Sequence, residues 1–332
     1  MEDTAIQGKT VGSIGTSVID SSDDVCKALL LHDKSKVCVF KREDSFEVVS
    51  VDNDEEGYSI DVPVRPGNYC YKTYPHCRLC CGCSDYEHVE AGEKLEFQSA
   101  GASPFNSEFC VSYGSIVAVY YESGSVYEEY NSINEQNWFI VNVCYIAGDL
   151  IALCDDSQNI LIYDSELSSE KGRIKYKASE VVPLLKHNST PLLCALDNDK
   201  CAFCNYSDCT VSTVIQLDEA IITGYELPQK ELIAFVTVHN IYIVSLETFQ
   251  ITDTIWVSNE SIKDCGIIPD SDTLCLLLDD NSICFANCGS QAVRELAVEG
   301  DASDQTLTNI IPVDDTRLII MNSDNAMNVI EY

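Results

Sequence analysis

From residue 140 onward, apolar runs of four to seven residues alternate with short polar turns on a regular beat. GDLIALCDDSQNILIYDSEL (148–167) has an apolar run, an acidic turn and a second apolar run that closes on Tyr163-Asp164. The same arrangement returns in PLLCALDNDKCAFCNY (191–206), ELIAFVTVHNIYIVS (231–245), DTLCLLLDDNSICFANC (272–288) and TRLIIMNSDNAMNVIEY (316–332). Leu150, Leu192, Leu232, Leu274 and Leu318 hold matching positions, 42, 40, 42 and 44 residues apart. The runs are rich in Val, Ile, Leu, Tyr and Thr, and the turns in Asp, Asn, Ser and Gly, which is strand and hairpin chemistry. The nearest approach to a helical period, EVVPLLKH (180–187), fits a strand as well. A further apolar run precedes each hairpin, as in IVNVCYIA (140–147), and another usually follows, as in TFQITDTIWV (248–257).

Four strands per roughly 41 residues predicts an all-β fold, a single closed β-propeller of four-stranded blades over residues 1–332. The beat is clearest over 138–332 and less regular over 1–137. Candidate second strands begin near Leu29, Leu79, Ile116, Leu150, Leu192, Leu232, Leu274 and Leu318. The irregular spacing of the first four leaves seven blades or eight. The last unit holds only three strands, so KTVGSIG (9–15) is expected to supply its outer strand and complete the last blade, because only a closed ring leaves no exposed edge.

NILIYDSEL (159–167) resembles the third strand of the WD-repeat β-propellers, with Tyr163-Asp164 where that family has Trp-Asp. IYIVSLETFQITDTI (241–255) is similar to the family's third-to-fourth strand passage, and RLCCGCSDYEHVEAG (78–92) to its second-to-third strand hairpin. The resemblance is a divergent one. There is no Trp-Asp dipeptide and no Gly-His pair, so the family's buried His/Ser/Asp/Trp network cannot be assembled.

Charge changes the picture most. There are 54 acidic and 20 basic residues, a net charge of −34, and no Lys or Arg between residues 101 and 170. Nucleic acid and anionic membranes are bound through cations, so neither is an expected partner. A basic protein or peptide is the natural electrostatic partner, and solubility alone is the plainer account. The resemblance implies that turns between second and third strands share one narrow face. Those turns carry Asp155, Asp156, Asp197, Asp199, Asp279, Asp280 and Asp324, with Asp85 and Glu122 from the less regular units. They are the expected interaction residues. Asp and Asn also suit tight turns for purely local reasons.

Other chemistry is thin. The 18 cysteines occur in a long chain that opens without an apolar leader, which predicts reduced thiols and a cytoplasmic or nuclear location. HCRLCCGC (76–83) holds Cys77, Cys80, Cys81 and Cys83, with Cys70, His76 and His88 nearby. A zinc site competes there with small core cysteines, and core is favoured because successive strand residues face opposite ways. DNDEEGYSID (52–61) opens like a calcium loop but has Pro63 at the twelfth position, so an acidic hairpin turn is the better reading. The five histidines sit in no catalytic frame. KGRIKYK (171–177) concentrates four cations and reads as a solvated loop. No cofactor is expected. The resulting expectation is a non-enzymatic protein–protein interaction scaffold in an intracellular multi-protein complex. The alternatives are an acidic chaperone or escort for a basic client (a histone, ribosomal protein or basic peptide) and a propeller-fold enzyme.

Overall fold

The computed structural model describes residues 5–14, 19, 25–32, 34–42, 45–52, 57–61, 96–114, 116–123, 126–134, 139–185, 191–228, 231–299 and 306–332. These residues form twenty-eight β-strands and no helix. Five sheets have four antiparallel strands in simple chain order. The first contains β2 (Val25–Leu30), β3 (Lys36–Lys41), β4 (Ser45–Ser50) and β5 (Gly57–Asp61), and the second β6 (Phe97–Ala102), β7 (Glu108–Tyr113), β8 (Ile116–Ser123) and β9 (Val126–Asn134). The third holds β10 (Ile140–Ala147), β11 (Leu150–Asp155), β12 (Asn159–Asp164) and β13 (Glu170–Lys175). The fourth holds β14 (Glu180–Pro183), β15 (Leu192–Asp197), β16 (Lys200–Asn205) and β17 (Thr210–Gln216). The fifth holds β18 (Ile221–Leu227), β19 (Leu232–Thr237), β20 (Asn240–Ser245) and β21 (Ile251–Trp256).

The remaining strands join in one eight-stranded sheet: β22 (Ile262–Ile267), β23 (Thr273–Leu278), β24 (Ile283–Asn287) and β25 (Ala292–Glu299), then β1 (Ile6–Ile14), β28 (Met327–Glu331), β27 (Arg317–Asn322) and β26 (Leu307–Pro312). β1 lies outside β28, antiparallel from Lys9↔Glu331 to Ile14↔Met327, as the lone fourth strand expected from residues 9–15. Its first residues also run parallel to β25, from Ile6↔Leu296 to Lys9↔Glu299. That second pairing was not anticipated, and it covers the outer edge of β25.

Two strand assignments in the irregular N-terminal part are corrected. Leu29 lies in the first strand of its sheet, β2, and Ile116 in the third, β8. The true second strands are β3 and β7, and Glu108 at the start of β7 stands 42 residues before Leu150, back on the beat. The error has a physical cause. Inner strands sandwiched between sheets are apolar on both faces, so first, second and third strands read alike. Leu79 and the cysteines around it lie outside the described residues.

The sheets meet face to face. Seven apolar clusters are present among the described residues, and each spans two neighbouring four-strand units. One, for example, joins Cys110, Val117 and Val119 to Tyr145, Ile151 and Leu153. Another joins Ile14, Val37, Val39 and Val49 to Ile319, Met321 and Met327, so it links the N-terminal and C-terminal units. First strands touch in succession: β26 and β6 both lie against β2, β10 against β6, β14 against β10, β18 against β14, and β22 against β26. The Tyr225 hydroxyl spans from β18 to β22 by donating to the Cys265 carbonyl at 2.7 Å.

Cys154, Cys194, Cys275 and Cys284 are buried in these clusters, as expected of small core residues. Burial pushes the thiols of Cys110 and Cys204 up to about 12 and that of Cys284 to about 11, out of the nucleophilic range. KGRIKYK is largely an outer strand rather than a loop. Three of its cations are paired: Lys171 with Asp164 at 3.1 Å, Arg173 with Glu170 at 2.8 Å and Lys177 with Asp197 at 3.2 Å.

Candidate functional site

The turns between second and third strands are built by their own side chains and tied down by backbone hydrogen bonds to the linker entering the same or the next sheet. Asp156 N donates to Phe139 O (2.9 Å), Ile221 N to Asn198 O (2.8 Å), Asp279 N to Ser261 O (2.9 Å) and Ser323 N to Thr306 O (2.8 Å). Each of these four turns holds one residue in the left-handed region: Gln158 (φ 69°), Asn198 (φ 56°), Asn281 (φ 68°) and Asn325 (φ 62°). Asn tolerates that conformation because its short polar side chain bonds locally.

The expected interaction residues divide on inspection. Asp156, Asp279, Asp280 and Asp324 are exposed, and Asp197 and Asp199 half-exposed, on such turns. Asp280 accepts from Ser282 Oγ at 2.6 Å and Ser282 N at 2.9 Å, and these bonds hold its carboxyl below the usual range. Asp199 accepts from Gln216 Nε2 at 3.0 Å. Asp155 is only 3% exposed: its carboxylate is spent on Asn159 N (2.7 Å) and Asn159 Nδ2 (2.9 Å), closing the turn. Glu122 sits near the end of the third strand β8, away from the second-to-third turn of its sheet, and pairs with Lys36 of β3. Asp85 lies outside the described residues. The fifth sheet carries His239 in this turn, above Glu219 of the preceding linker. Glu219 accepts from Thr237 Oγ1 (2.6 Å), His239 N (3.0 Å) and Asn240 Nδ2 (2.8 Å). Partial burial raises its carboxyl, but these bonds and the nearby His239 outweigh it and hold it low.

A second repeated site was not anticipated. Every first strand carries a polar residue at one register position: Lys27, Ser99, Asn142, Glu180, Thr223, Asp264 and Asn309. In six of the seven a β-bulge immediately precedes it, between Val25 and Lys27, Phe97 and Ser99, Ile140 and Asn142, Ile221 and Thr223, Ile262 and Asp264, and Leu307 and Asn309. A bulge re-aims the side chain that follows it. Here those side chains stitch neighbouring sheets. Lys27 Nζ donates to Ala100 O (3.3 Å), and Asn142 Nδ2 to Ser99 Oγ (3.2 Å). Val181 N donates to Asn142 Oδ1 (3.0 Å), Thr223 Oγ1 to Glu180 Oε1 (2.7 Å) and Ile310 N to Asp264 Oδ2 (2.8 Å). Burial raises the carboxyl of Glu180, opposed by the Thr223 hydroxyl and the charge of Lys27. Burial likewise raises that of Asp264, opposed by the Ile310 and Cys265 amides, Asn309 and Lys27. The signal was legible as VCK, FQS, IVN, IIT, IKD and LTN, a polar residue two places after the apolar residue that starts each strand.

Third strands end in a local cap. Asp164, Asn205, Ser245 and Asn287 occupy the same position and accept from amides two to four residues ahead. Burial pulls Asp164 upward, but hydrogen bonds from Ser169, Ser168 and Lys171 prevail and hold it well below the usual carboxylate range.

No protein-family model matches this sequence, and no curated protein matches it. Among solved structures, the chain is similar to the crystal structure of the C-terminal WD40 domain of Sif2, with a TM-score of 0.65 and 8% identity, covering 99% of both chains. The all-β fold of stacked four-stranded sheets is thus that of a WD40 β-propeller domain. At 8% identity the likeness extends to fold alone.

Proposed function

We propose that residues 1–332 close as one seven-bladed domain and serve as a non-enzymatic interaction platform in a multi-protein assembly of the cytoplasm or nucleus, with no cofactor and no direct contact to nucleic acid or membrane. The observation that carries this reading is the stitching of neighbouring sheets by the first-strand polar column, alongside the seven inter-sheet clusters. A body held together at every joint presents its turns preorganised, so a partner loses little ordering entropy on binding. First-strand contacts run from β2 to β18 and from β22 through β26 back to β2, and the Tyr225–Cys265 hydrogen bond joins β18 to β22; this circuit supports seven units rather than eight.

A second reading, an escort for a basic client, draws on the exposed Asp156, Asp279, Asp280 and Asp324 with Asp197 and Asp199 beside them. Carboxylates on rigid turns raise the encounter rate of a cationic partner and are screened by salt. A native pull-down washed in parallel at about 100 mM and about 500 mM salt separates the two readings. Basic proteins held only at low salt favour the escort. A fixed set of partners surviving both washes favours the platform, and no reproducible partner at either salt removes both.

A further inference from the structure

Five of the described sheets end in an unpaired outer strand: β5, β9, β13, β17 and β21. Such strands expose a row of backbone donors and acceptors, and proteins normally guard them with charge. β13 (EKGRIK) carries four charged residues, β9 carries Glu128 and Glu129, β5 ends in Asp61, and β21 holds Asp253. β17, TVSTVIQ, has none. A bulge interrupts its pairing at Ser212, but equivalent bulges mark the outer pairings of the second, third and fifth sheets too, so the missing charge is what sets β17 apart.

Exposed apolar side chains lie on both faces beside this edge. Val211 (38%) and Val214 (49%) lie on β17, and Ile251 (43%) and Trp256 (59%) on β21 of the adjoining sheet. Val211 and Val214 stand opposite Cys204 and Ala202, whose side chains belong to the cluster shared with the third sheet. Ile251 stands opposite Val244, of the cluster shared with the fourth sheet, and Trp256 alternates with Ile255, which faces the other way. Trp256 and Ile251 are therefore on the face of the fifth sheet turned to the fourth, where the half-buried Ile215 of β17 and Phe249 pack against the shared cluster.

The surrounding charge is predominantly acidic. Residues 199–262 contain nine acidic residues and two cations, Lys230 and Lys200, the latter opposite Gln216 at the end of β17. Asp208 precedes β17 and accepts from Thr210 Oγ1 at 2.6 Å, and Asp199 and Asp218 flank its far end.

We propose that β17 is a strand-docking edge that takes, as a fifth strand, an extended segment of another protein with a β-branched, uncharged centre and basic flanks. The main chain of β17 would supply the hydrogen bonds, alternate partner side chains would fall beside Val211 and Val214 on one face or beside Ile215, towards Trp256, on the other, and the flanks would meet Asp208 and Asp199. A second copy of this chain is a poorer occupant, because pairing β17 with itself brings like-charged ends together. Of the acidic turns, only the one that carries Asp199 enters this proposal.

The test uses the full chain and a fluorescein-labelled peptide, Lys-Lys-Val-Thr-Val-Thr-Val-Lys-Lys, read by anisotropy. The expected result is saturable binding with a change in Trp256 fluorescence. Val214→Lys should weaken it roughly tenfold or more, and so should N-methylation of the central peptide valine, which removes a strand hydrogen bond. A melting curve and circular dichroism establish that the exposed Val214→Lys variant folds. Three results would overturn the proposal. The first is no binding up to about 1 mM peptide. The second is equal binding by the variant or the N-methylated peptide, which would leave charge attraction alone. The third is sedimentation showing a wild-type dimer that Val214→Lys dissolves, which would make a second copy the occupant.

Discussion

The Asn142 side chain accepts a hydrogen bond from the Val181 amide, 3.0 Å away, so one amide group fastens the first strand of the third sheet to that of the fourth. Its nitrogen meanwhile donates to Ser99 Oγ on the second sheet, 3.2 Å away. Asn142→Ala strands the Val181 donor at a packed joint, where a lost partner costs about 1–3 kcal/mol. Urea unfolding should show a lower midpoint by that amount with an unchanged slope. An unaltered midpoint would mean that the stitching contributes nothing.

Glu180 is raised by burial in the folded chain. A carboxyl raised on folding lowers stability while it is ionised, and that deficit disappears as pH falls through the folded value towards about 4.3, the ordinary Glu value. Glu180→Gln, which keeps an oxygen for Thr223, should therefore raise the melting temperature at pH 7, with a gain that shrinks on acidification. A melt series from neutral to mildly acid pH checks both the sign and the window. A loss at pH 7 would show that attraction to Lys27 outweighs burial.

β1 occupies both the outer side of β28 and the outer side of β25, and its last residue, Ile14, is buried among Val37, Val39 and Met327. Deleting residues 1–14 should lower the melting temperature and produce concentration-dependent association in size-exclusion chromatography, because two strand edges are uncovered at once. An excess of a peptide spanning 5–14 should restore part of the lost stability by mass action.

Gln158 and Leu167 share the left-handed backbone, φ 69° and φ 53°, yet replacing them by glycine should have opposite effects. Gln158 is exposed, and relief of Cβ strain outweighs the added chain entropy, for a gain of about 0.5–1 kcal/mol. Leu167 is buried against Leu161 and Tyr163, so Leu167→Gly loses its packing, about 2–4 kcal/mol. Thermal melts of the two variants decide it.

Much of the architecture was legible before any coordinate. Leu150, Leu192, Leu232, Leu274 and Leu318 all fall at or next to the start of a second strand, and the turns that follow hold the residues expected of them. Of the expected interaction residues, Asp155 shows the limit. A turn aspartate that faces a partner and one that folds back on its own Asn159 look the same in sequence, because both satisfy the same local preference. Glu122 failed through register: one strand's shift in assignment moved it to the opposite end of its sheet.

The chain by itself determined most of its strands and its roughly 40-residue beat, because turn chemistry and apolar run length act between near neighbours in sequence, and the incomplete last unit on that beat called for an outer strand from the N-terminal segment. Only the tertiary structure decided which apolar runs of the first two units are first, second or third strands, that β1 also pairs with β25, and that Lys27, Ser99, Asn142, Glu180, Thr223, Asp264 and Asn309 form one column across the sheets. The last two outcomes rest on contacts between residues from 39 to 290 positions apart, which no local pattern encodes.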